Sequence, residues 1–231
     1  MIKLSLLIAL ILFSQVVHPP EVKVASALRN IMIDGDLSSH IKLDTLTKQN
    51  LYGLGPVAGL KGEIIILNGK IYSSTKSSDQ LIHRNEGIDA AMLVYSHVKK
   101  WKAITFNKKI QNNPELENLI KMAAAAHGID SKTPFAFRIE SSLAIADYHV
   151  IDWNKRTKHT MENHRQFAYE GTLNNEKISF LGFYSAHHKG IFTHHTSNMH
   201  VHVLGQGSGI TGHLDNVKVT GKFTLFLPVS Q

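Results

Sequence analysis

The chain has 231 residues, of which 43% are hydrophobic and 19% charged, and it has no cysteine. This composition is typical of a folded protein with a sizeable core, excludes disulfide bonds and requires any zinc-like site to use histidine and carboxylate ligands. The net charge is +7, but the lysines are scattered and not interleaved with aromatic residues, so we expect no nucleic-acid partner and favour a small anionic substrate.

The N-terminus has the pattern of an export signal. Lys3 supplies a positive charge, the residues from Leu4 to Phe13 form a short apolar core, and the small residues at 25–27 suit a cleavage site. Because a membrane span needs about 20 apolar residues, we predict a signal peptide over residues 1–27, no span after cleavage and a periplasmic or secreted protein. A cut before residue 27 and a buried N-terminal helix are the alternatives.

Turn and capping residues mark two elements of the first half. Asn68 and Gly69 stand between β-branched runs and suit the positive φ angles of a type I′ turn, which predicts a β-hairpin over residues 62–74. A helix is predicted within residues 113–130, because Pro114 suits its first turn, an apolar stripe follows at helical spacing and Gly128 ends it.

The second half predicts a β-rich structure. A strand near residues 133–142 alternates, with Phe135 and Phe137 on one face and Arg138 and Glu140 on the other. The polar residues 154–165 predict a loop, and further strands are predicted in RQFAYEGTL, KISFLGFYS, NMHVHVL, HLDNVKV and KFTLFLP. We therefore expect an α+β, β-rich fold whose second half is a small antiparallel barrel or sandwich, with a boundary near residues 131–134.

Three histidines in this second half have the spacing of a metal site. His200 and His202 are two apart in a predicted strand, so their side chains share a face, and the glycines that follow let the chain return with His213 opposite them. Three imidazoles leave positions open for water or substrate, as in a catalytic site, and favour Zn²⁺ while also suiting other divalent metals. His194 and His195 are open as ligands, neighbouring groups or exposed loop residues.

Several segments together resemble the α-acetolactate decarboxylase family of metal-dependent lyases. They are, in order, GPVAGLKGEIIILNGKIY, FAFRIE, FAYEGTL with GFYS, and HVHVLGQGSGITGH. The resemblance implies a mixed-sheet part over residues 28–134, followed by a small antiparallel β-barrel with the metal site over residues 135–231, assembled as a homodimer. It also implies a role for five residues: metal ligands His200, His202 and His213, the metal-centre glutamate Glu63 and the active-site arginine Arg138.

The chemistry implied is that of a carboxy-lyase converting 2-acetolactate into acetoin and CO₂. Arg138 is expected to hold the substrate carboxylate through paired hydrogen bonds, and Glu63 to orient the hydroxyl or transfer the proton. Taken from the residues alone, Glu63 would be an exposed residue at a strand entrance, and Arg138 would pair with its strand neighbour Glu140.

The chain departs from the family pattern after the third histidine. Family members supply a second glutamate from their tail, whereas only 18 residues follow His213 here and Asp215 is the only acidic side chain among them. Another carboxylate, His194, His195 or the carboxylate of Gln231 are the possible substitutes.

Three rival hypotheses stand beside this interpretation, and the missing tail glutamate motivates the first of them. The same metal centre could act on another β-keto or α-hydroxy acid, or the chain could be a non-catalytic metal- or ligand-binding β module. A cupin-like barrel is disfavoured, because no glutamate follows His202 within the next several residues.

Overall fold

A computed structural model describes residues 16–153 and 166–230. The apolar core of the predicted signal peptide, the predicted loop over residues 154–165 and Gln231 lie outside the described residues. Within the described ranges the chain forms sixteen strands, arranged in two large sheets and one two-stranded ribbon, and two α-helices. None of these helices has the length and apolarity needed to cross a membrane.

The first sheet is antiparallel throughout and is formed by the N-terminal part of the chain. Its strands are β1 (Lys23–Ala25), β3 (Leu51–Pro56), β4 (Glu63–Leu67), β5 (Lys70–Ser77), β6 (Gln80–Arg84) and β8 (Leu93–His97). They lie in the order β1-β8-β3-β4-β5-β6, and a separate ribbon pairs β2 (Ile41–Lys42) with β7 (Asp89–Ala90). This sheet is therefore not mixed, contrary to the expectation.

The second sheet carries eight antiparallel strands. They are β9 (Trp101–Asn107), β10 (Phe135–Ser141), β11 (Ala144–Val150), β12 (Tyr169–Leu173), β13 (Ile178–Tyr184), β14 (Met199–Gly205), β15 (Thr211–Val219) and β16 (Lys222–Pro228). The order is β12-β11-β15-β14-β13-β10-β16-β9.

The α+β, β-rich class is confirmed, but among the described residues the second sheet is open and not a closed barrel. Closure would require its two outermost strands to pair. Instead β9 pairs on β16 and β12 on β11, and these two strands lie at opposite edges of the sheet. The strand β9 precedes the predicted boundary, and the division of the chain at residues 134/135 stays a prediction.

Local sequence signals account for the predicted hairpin and helix, and both are confirmed. β4 and β5 are joined by Asn68 and Gly69, whose φ angles are 51° and 79°. A Cβ on Gly69 would lie 2.1 Å from the backbone oxygen of Lys48, so only glycine fits this turn. Helix α2 (Asn113–Ala126) begins where Asn112 Oδ1 accepts a hydrogen bond from the N–H of Glu115, and it ends before Gly128.

The second sheet has a core on each face. On one face Phe135, Phe137 and Val201 pack with the apolar side of α2. On the other face Leu181 and Phe183 pack against residues of the first sheet. The two sheets therefore bury one surface of β13 and β14 between them, and the predicted metal site lies in that interior.

The short helix α1 (Leu28–Met32) and the segment before it form backbone hydrogen bonds with later parts of the chain. Val17 bridges to Ile129, and β1 pairs with β8. The N–H of Leu28 donates to the carbonyl of Ile191, which fixes α1 beside the loop that leads into β14.

Candidate metal centre

The structure brings the three predicted histidines together. His200 and His202 lie on β14, and His213 on β15 stands directly opposite His202 in the strand register. The ring centroids are 5.0 to 5.5 Å apart in every pair. One ligand atom of each residue lies within 4.8 Å of those of the other two, which is a spacing that suits one shared metal ion.

Hydrogen bonds at this site determine which ring nitrogen of His202 carries the proton. Nδ1 of His202 lies 2.7 Å from the carbonyl oxygen of Ile64. A carbonyl only accepts, so Nδ1 carries the hydrogen and Nε2 presents a lone pair. Nε2 of His202 and Nδ1 of His200 are buried and have no hydrogen-bond partner among the described residues. Such orphaned lone pairs fit metal coordination, since buried polar atoms are otherwise satisfied.

Burial keeps these imidazoles neutral. Removal from water lowers the pKa of His202 to about 3, with neighbouring histidines adding to the effect. Burial also lowers the pKa values of His200 and His213 well below the ordinary 6.5, again reinforced by the surrounding histidines. The neutral form is the one that binds a metal, so the donor set is ready at neutral pH.

Glu63, the glutamate that the resemblance implied at the metal centre, lies beside His202. It opens β4, is 4% exposed, and its Oε2 lies 3.5 Å from Nε2 of His202. The preceding Gly62, with φ of 149°, permits this entry, because a Cβ there would lie 2.4 Å from the backbone oxygen of Ser74. Burial raises the pKa of Glu63 to about 7, so its carboxyl group exchanges a proton near neutral pH.

Arg138 is not brought next to the histidines in this structure, and its role in the active site stays a prediction. It faces Leu181 across the sheet, and Leu181 in turn faces His202, so a leucine stands between them. Its guanidinium donates to Glu140 Oε1 at 2.7 Å, the strand-neighbour ion pair weighed as the alternative. The guanidinium also lies over three aromatic rings, at 4.9 to 5.7 Å from their centroids: those of Tyr52, Trp101 and Phe226.

Two residues that were not predicted as site residues stand beside His213. His149 on β11 faces His213 in the register, with their ring centroids 4.9 Å apart. Nδ1 of His149 lies 2.9 Å from Oδ1 of Asp215, a contact that orients the imidazole. The pairing of β11 with β15 shifts at this point and leaves Asp215 as the extra residue of a bulge. The period-two rule would have placed Asp215 beside His213, but no sequence signal marks the strand partner His149.

The structure also separates the two upstream histidines. The ring of His194 lies 5.2 Å from that of His213 and 6.0 Å from that of His200. Its pKa is lowered, chiefly by burial. His195, by contrast, is exposed. His194 is therefore a neighbour of the cluster and not an exposed loop residue.

A cavity of about 300 Å³ opens beside the cluster, a size that suits a small ligand. Its polar wall comprises Glu63, Asn113, His149, His194, Thr196, Ser197, His200, His213 and Asp215. Part of its apolar wall comes from α1 and from segments that flank strands of the first sheet: Leu28, Ile31, Met32, Leu60 and Met92. Arg138 does not line it. The arrangement places the buried carboxyl group of Glu63 and the imidazoles of His200 and His213 at the wall of one partly enclosed cavity, and His202 is buried beside Glu63.

Comparison with known proteins gives one family. The family model for alpha-acetolactate decarboxylase matches residues 25–227. The crystal structure of alpha-acetolactate decarboxylase from Bacillus subtilis strain 168 is similar with a TM-score of 0.75 at 16% identity, covering 91% of this chain and 86% of that chain. A Staphylococcus aureus protein of unknown function, similar to alpha-acetolactate decarboxylase, gives 0.72 at 15% identity, with coverages of 89% and 84%. At these identities the likeness concerns the fold alone. No curated protein matches the sequence.

Proposed function

The chain belongs to the alpha-acetolactate decarboxylase family, a family of carboxy-lyases, and we propose that it converts 2-acetolactate into acetoin and CO₂ with a divalent metal held by His200, His202 and His213. The observation that carries the metal dependence is the convergence of three neutral imidazoles beside a cavity, where His200 and His202 are buried and each has a ring nitrogen without a hydrogen-bond partner among the described residues. An all-imidazole donor set suits Zn²⁺ and also accepts other divalent cations.

The reaction breaks the bond between C2 and the carboxylate carbon, sends its electron pair toward the ketone oxygen and adds a proton at C2. When bound, a divalent cation would supply Lewis-acid stabilisation of the negative charge that develops on the substrate oxygens. The cavity walls exclude bulk water, and this strengthens each polar interaction within them.

Glu63 is the proton donor in this proposal. In the metal-free site the pKa of this carboxyl group is about 7, so the group gains and loses a proton near neutral pH, as a general acid requires. Glu63 delivers that proton to C2 and recovers one from water in the next cycle. Its burial beside His202 supplies both the raised pKa and a defined position.

His149 and Asp215 take the place that the resemblance gave to Arg138 at the cavity wall. Asp215 orients the imidazole of His149 next to His213, and both residues line the cavity. We propose that this pair positions the substrate from the side opposite the apolar wall.

The direct test is release of CO₂ and acetoin from racemic 2-acetolactate by purified protein, first stripped with a chelator and then supplied with Zn²⁺. We expect activity to disappear on stripping and to return with the metal. Metal retained at about one ion per chain without release from 2-acetolactate would contradict the substrate assignment.

A second substrate is favoured by the apolar wall of the cavity. Leu28, Ile31 and Met32 offer more apolar surface than the methyl groups of acetolactate need. A panel of 2-hydroxy-3-oxo acids with larger alkyl groups separates the two hypotheses through kcat/KM. CO₂ release from none of them would support a non-catalytic metal-binding module instead.

We further propose that the protein is exported and forms a homodimer. The pairing of Val17 with Ile129 and of β1 with β8 supports a signal cut before Val17, and not after residue 27. The mass of the mature protein recovered outside the cytoplasm tests the cut, and light scattering tests the dimer.

A further inference from the structure

Asn113 lines the cavity, and the proposed reaction gives its side chain no role. It is the first residue of α2, and its Nδ2 donates to the backbone oxygen of Asp215 at 3.0 Å. A carbonyl oxygen only accepts hydrogen bonds, so the amide cannot be turned the other way. Oδ1 is therefore held in place as an acceptor.

This acceptor has no partner within residues 16–153 and 166–230. Oδ1 of Asn113 is buried and makes no hydrogen bond there, while the residue lines the same cavity as His149, His200 and His213. Buried acceptors in folded proteins are almost always paired, so an unpaired one on a residue that lines a cavity points to a donor on the molecule that fills the cavity. The other polar groups of the site do not supply that donor.

We infer that Asn113 is a specificity-determining residue whose Oδ1 accepts a hydrogen bond from the C2 hydroxyl of the substrate. The inference rests on the proposed function for the substrate class. An ionised 2-hydroxy-3-oxo acid has acceptors at its carboxylate and ketone, and its hydroxyl is its single donor. Sites that pair with a hydroxyl discriminate against analogues that lack it, because the site's own polar atom is then left unpaired. Asn113 would thus select 2-hydroxy acids over simple β-keto acids.

The test uses binding, so that it remains informative if 2-acetolactate is not the substrate. Zn²⁺-loaded protein is titrated with 2-hydroxyisobutyrate and with isobutyrate, which differ only in the hydroxyl, by ligand-observed NMR. We expect the wild type to prefer the hydroxy acid, and Asn113→Ala to reduce the ratio of the two Kd values by roughly 3- to 10-fold, the effect of one neutral hydrogen bond. The Kd for isobutyrate and the metal content should not change.

Two further variants separate acceptor loss from general damage. Asn113→Asp keeps an oxygen at the Oδ1 position and should retain the preference for the hydroxy acid, although its charge weakens binding of both carboxylates. Asn118→Ala, on the same helix and outside the cavity lining, is the matched control and should behave as the wild type.

The outcomes decide the inference. A preference that falls in Asn113→Ala and persists in Asn113→Asp supports it, whether or not the protein releases CO₂ from 2-acetolactate. A wild type that binds both acids equally or neither of them, or an Asn113→Ala variant that weakens both acids by the same factor, overturns it. In the last case Asn113 would only support the backbone at Asp215.

Discussion

Two ends of one row of side chains across the second sheet have opposite electrostatic character. The row runs from Arg138 through Leu181 and His202 to His213. The histidine end is largely buried and holds neutral imidazoles beside Glu63 and the carbonyl of Ile64. The Arg138 end is partly exposed, and its guanidinium forms an ion pair with Glu140.

The difference comes from the groups that pack against each end of the row and not from the strand that carries that end. β4 of the first sheet presents a carboxyl group and a carbonyl to the histidines, whereas Tyr52 and Trp101 present ring faces to the guanidinium. One sheet face thus carries a reactive end and a structural end, separated by the side chain of Leu181. Three substitutions would break or sharpen this contrast.

Removal of a ligand at the histidine end should have the largest effect. We expect His202→Ala to bring bound metal close to zero and to lower kcat/KM by roughly 1000-fold or more, since the Lewis acid is lost. Metal analysis and acetoin formation measure the two effects on one sample. A variant that keeps its metal and its turnover would remove His202 from the centre.

Removing the carboxyl group at the same end should have a smaller effect on catalysis and should leave metal binding unchanged. Glu63→Gln keeps the shape of the side chain but cannot exchange a proton, so we expect kcat to fall by about 10²- to 10⁴-fold. The amount of bound metal should match the wild type. Unchanged kcat would transfer the proton-donor role to another group of the cavity.

The same substitution should raise the stability of the metal-free protein at neutral and higher pH. The pKa of Glu63 is raised from 4.5 to about 7, so its contribution to stability is fully present below pH 4.5 and is lost as the pH rises through 7. The loss amounts to roughly 3 kcal/mol at pH 8. Urea unfolding of wild type and Glu63→Gln between pH 5 and pH 8 should show the difference grow with pH.

The histidines affect the pH dependence of stability in the opposite direction. Their lowered pKa values make the folded state resist protonation, so their contribution is lost as the pH falls below 6.5. They are common to both proteins and cancel in the comparison. A difference between the two proteins that does not change with pH would show that Glu63 is not held in its buried environment.

The smallest effect is expected at the structural end of the row. Arg138→Met keeps much of the apolar stem but loses the ion pair and the ring contacts, so we expect a loss of about 1–2 kcal/mol in stability. Metal content and kcat should stay within about twofold of the wild type, which is an approximate bound set by additivity of distant sites. A large loss of kcat with metal retained would return Arg138 to the active site.

Sequence reasoning was most successful where one short segment carries the whole feature. The Asn68-Gly69 turn, helix α2 and the pairing of His213 with His202 follow from turn chemistry, capping and period-two alternation. Each of these rules acts over a few residues and needs no knowledge of the rest of the fold. The resemblance supplied Glu63, whose role the residues alone did not indicate.

The features that the sequence did not predict share a physical cause. Whether the second sheet closes depends on the edge strand β9, which lies far along the chain from its partner β16. The separation of Arg138 from His202 depends on β13, whose Leu181 lies between them in the register. His149 faces His213 only because the pairing of β11 with β15 shifts at the bulge. Period-two alternation assigns a side chain to a face, but it says nothing about the position of that side chain across the sheet.

The sequence by itself determined the class of fold, the trio of histidines and the family to which the chain belongs, because these depend on local patterns and on motif order. Only the tertiary structure decided which groups surround the trio. It brought Glu63 from the first sheet, Asn113 from α2 and His149 from β11 to one cavity, and it left Arg138 outside. Such neighbours are set by the packing of distant segments, and that packing is the property that burial, pKa and chemistry depend on.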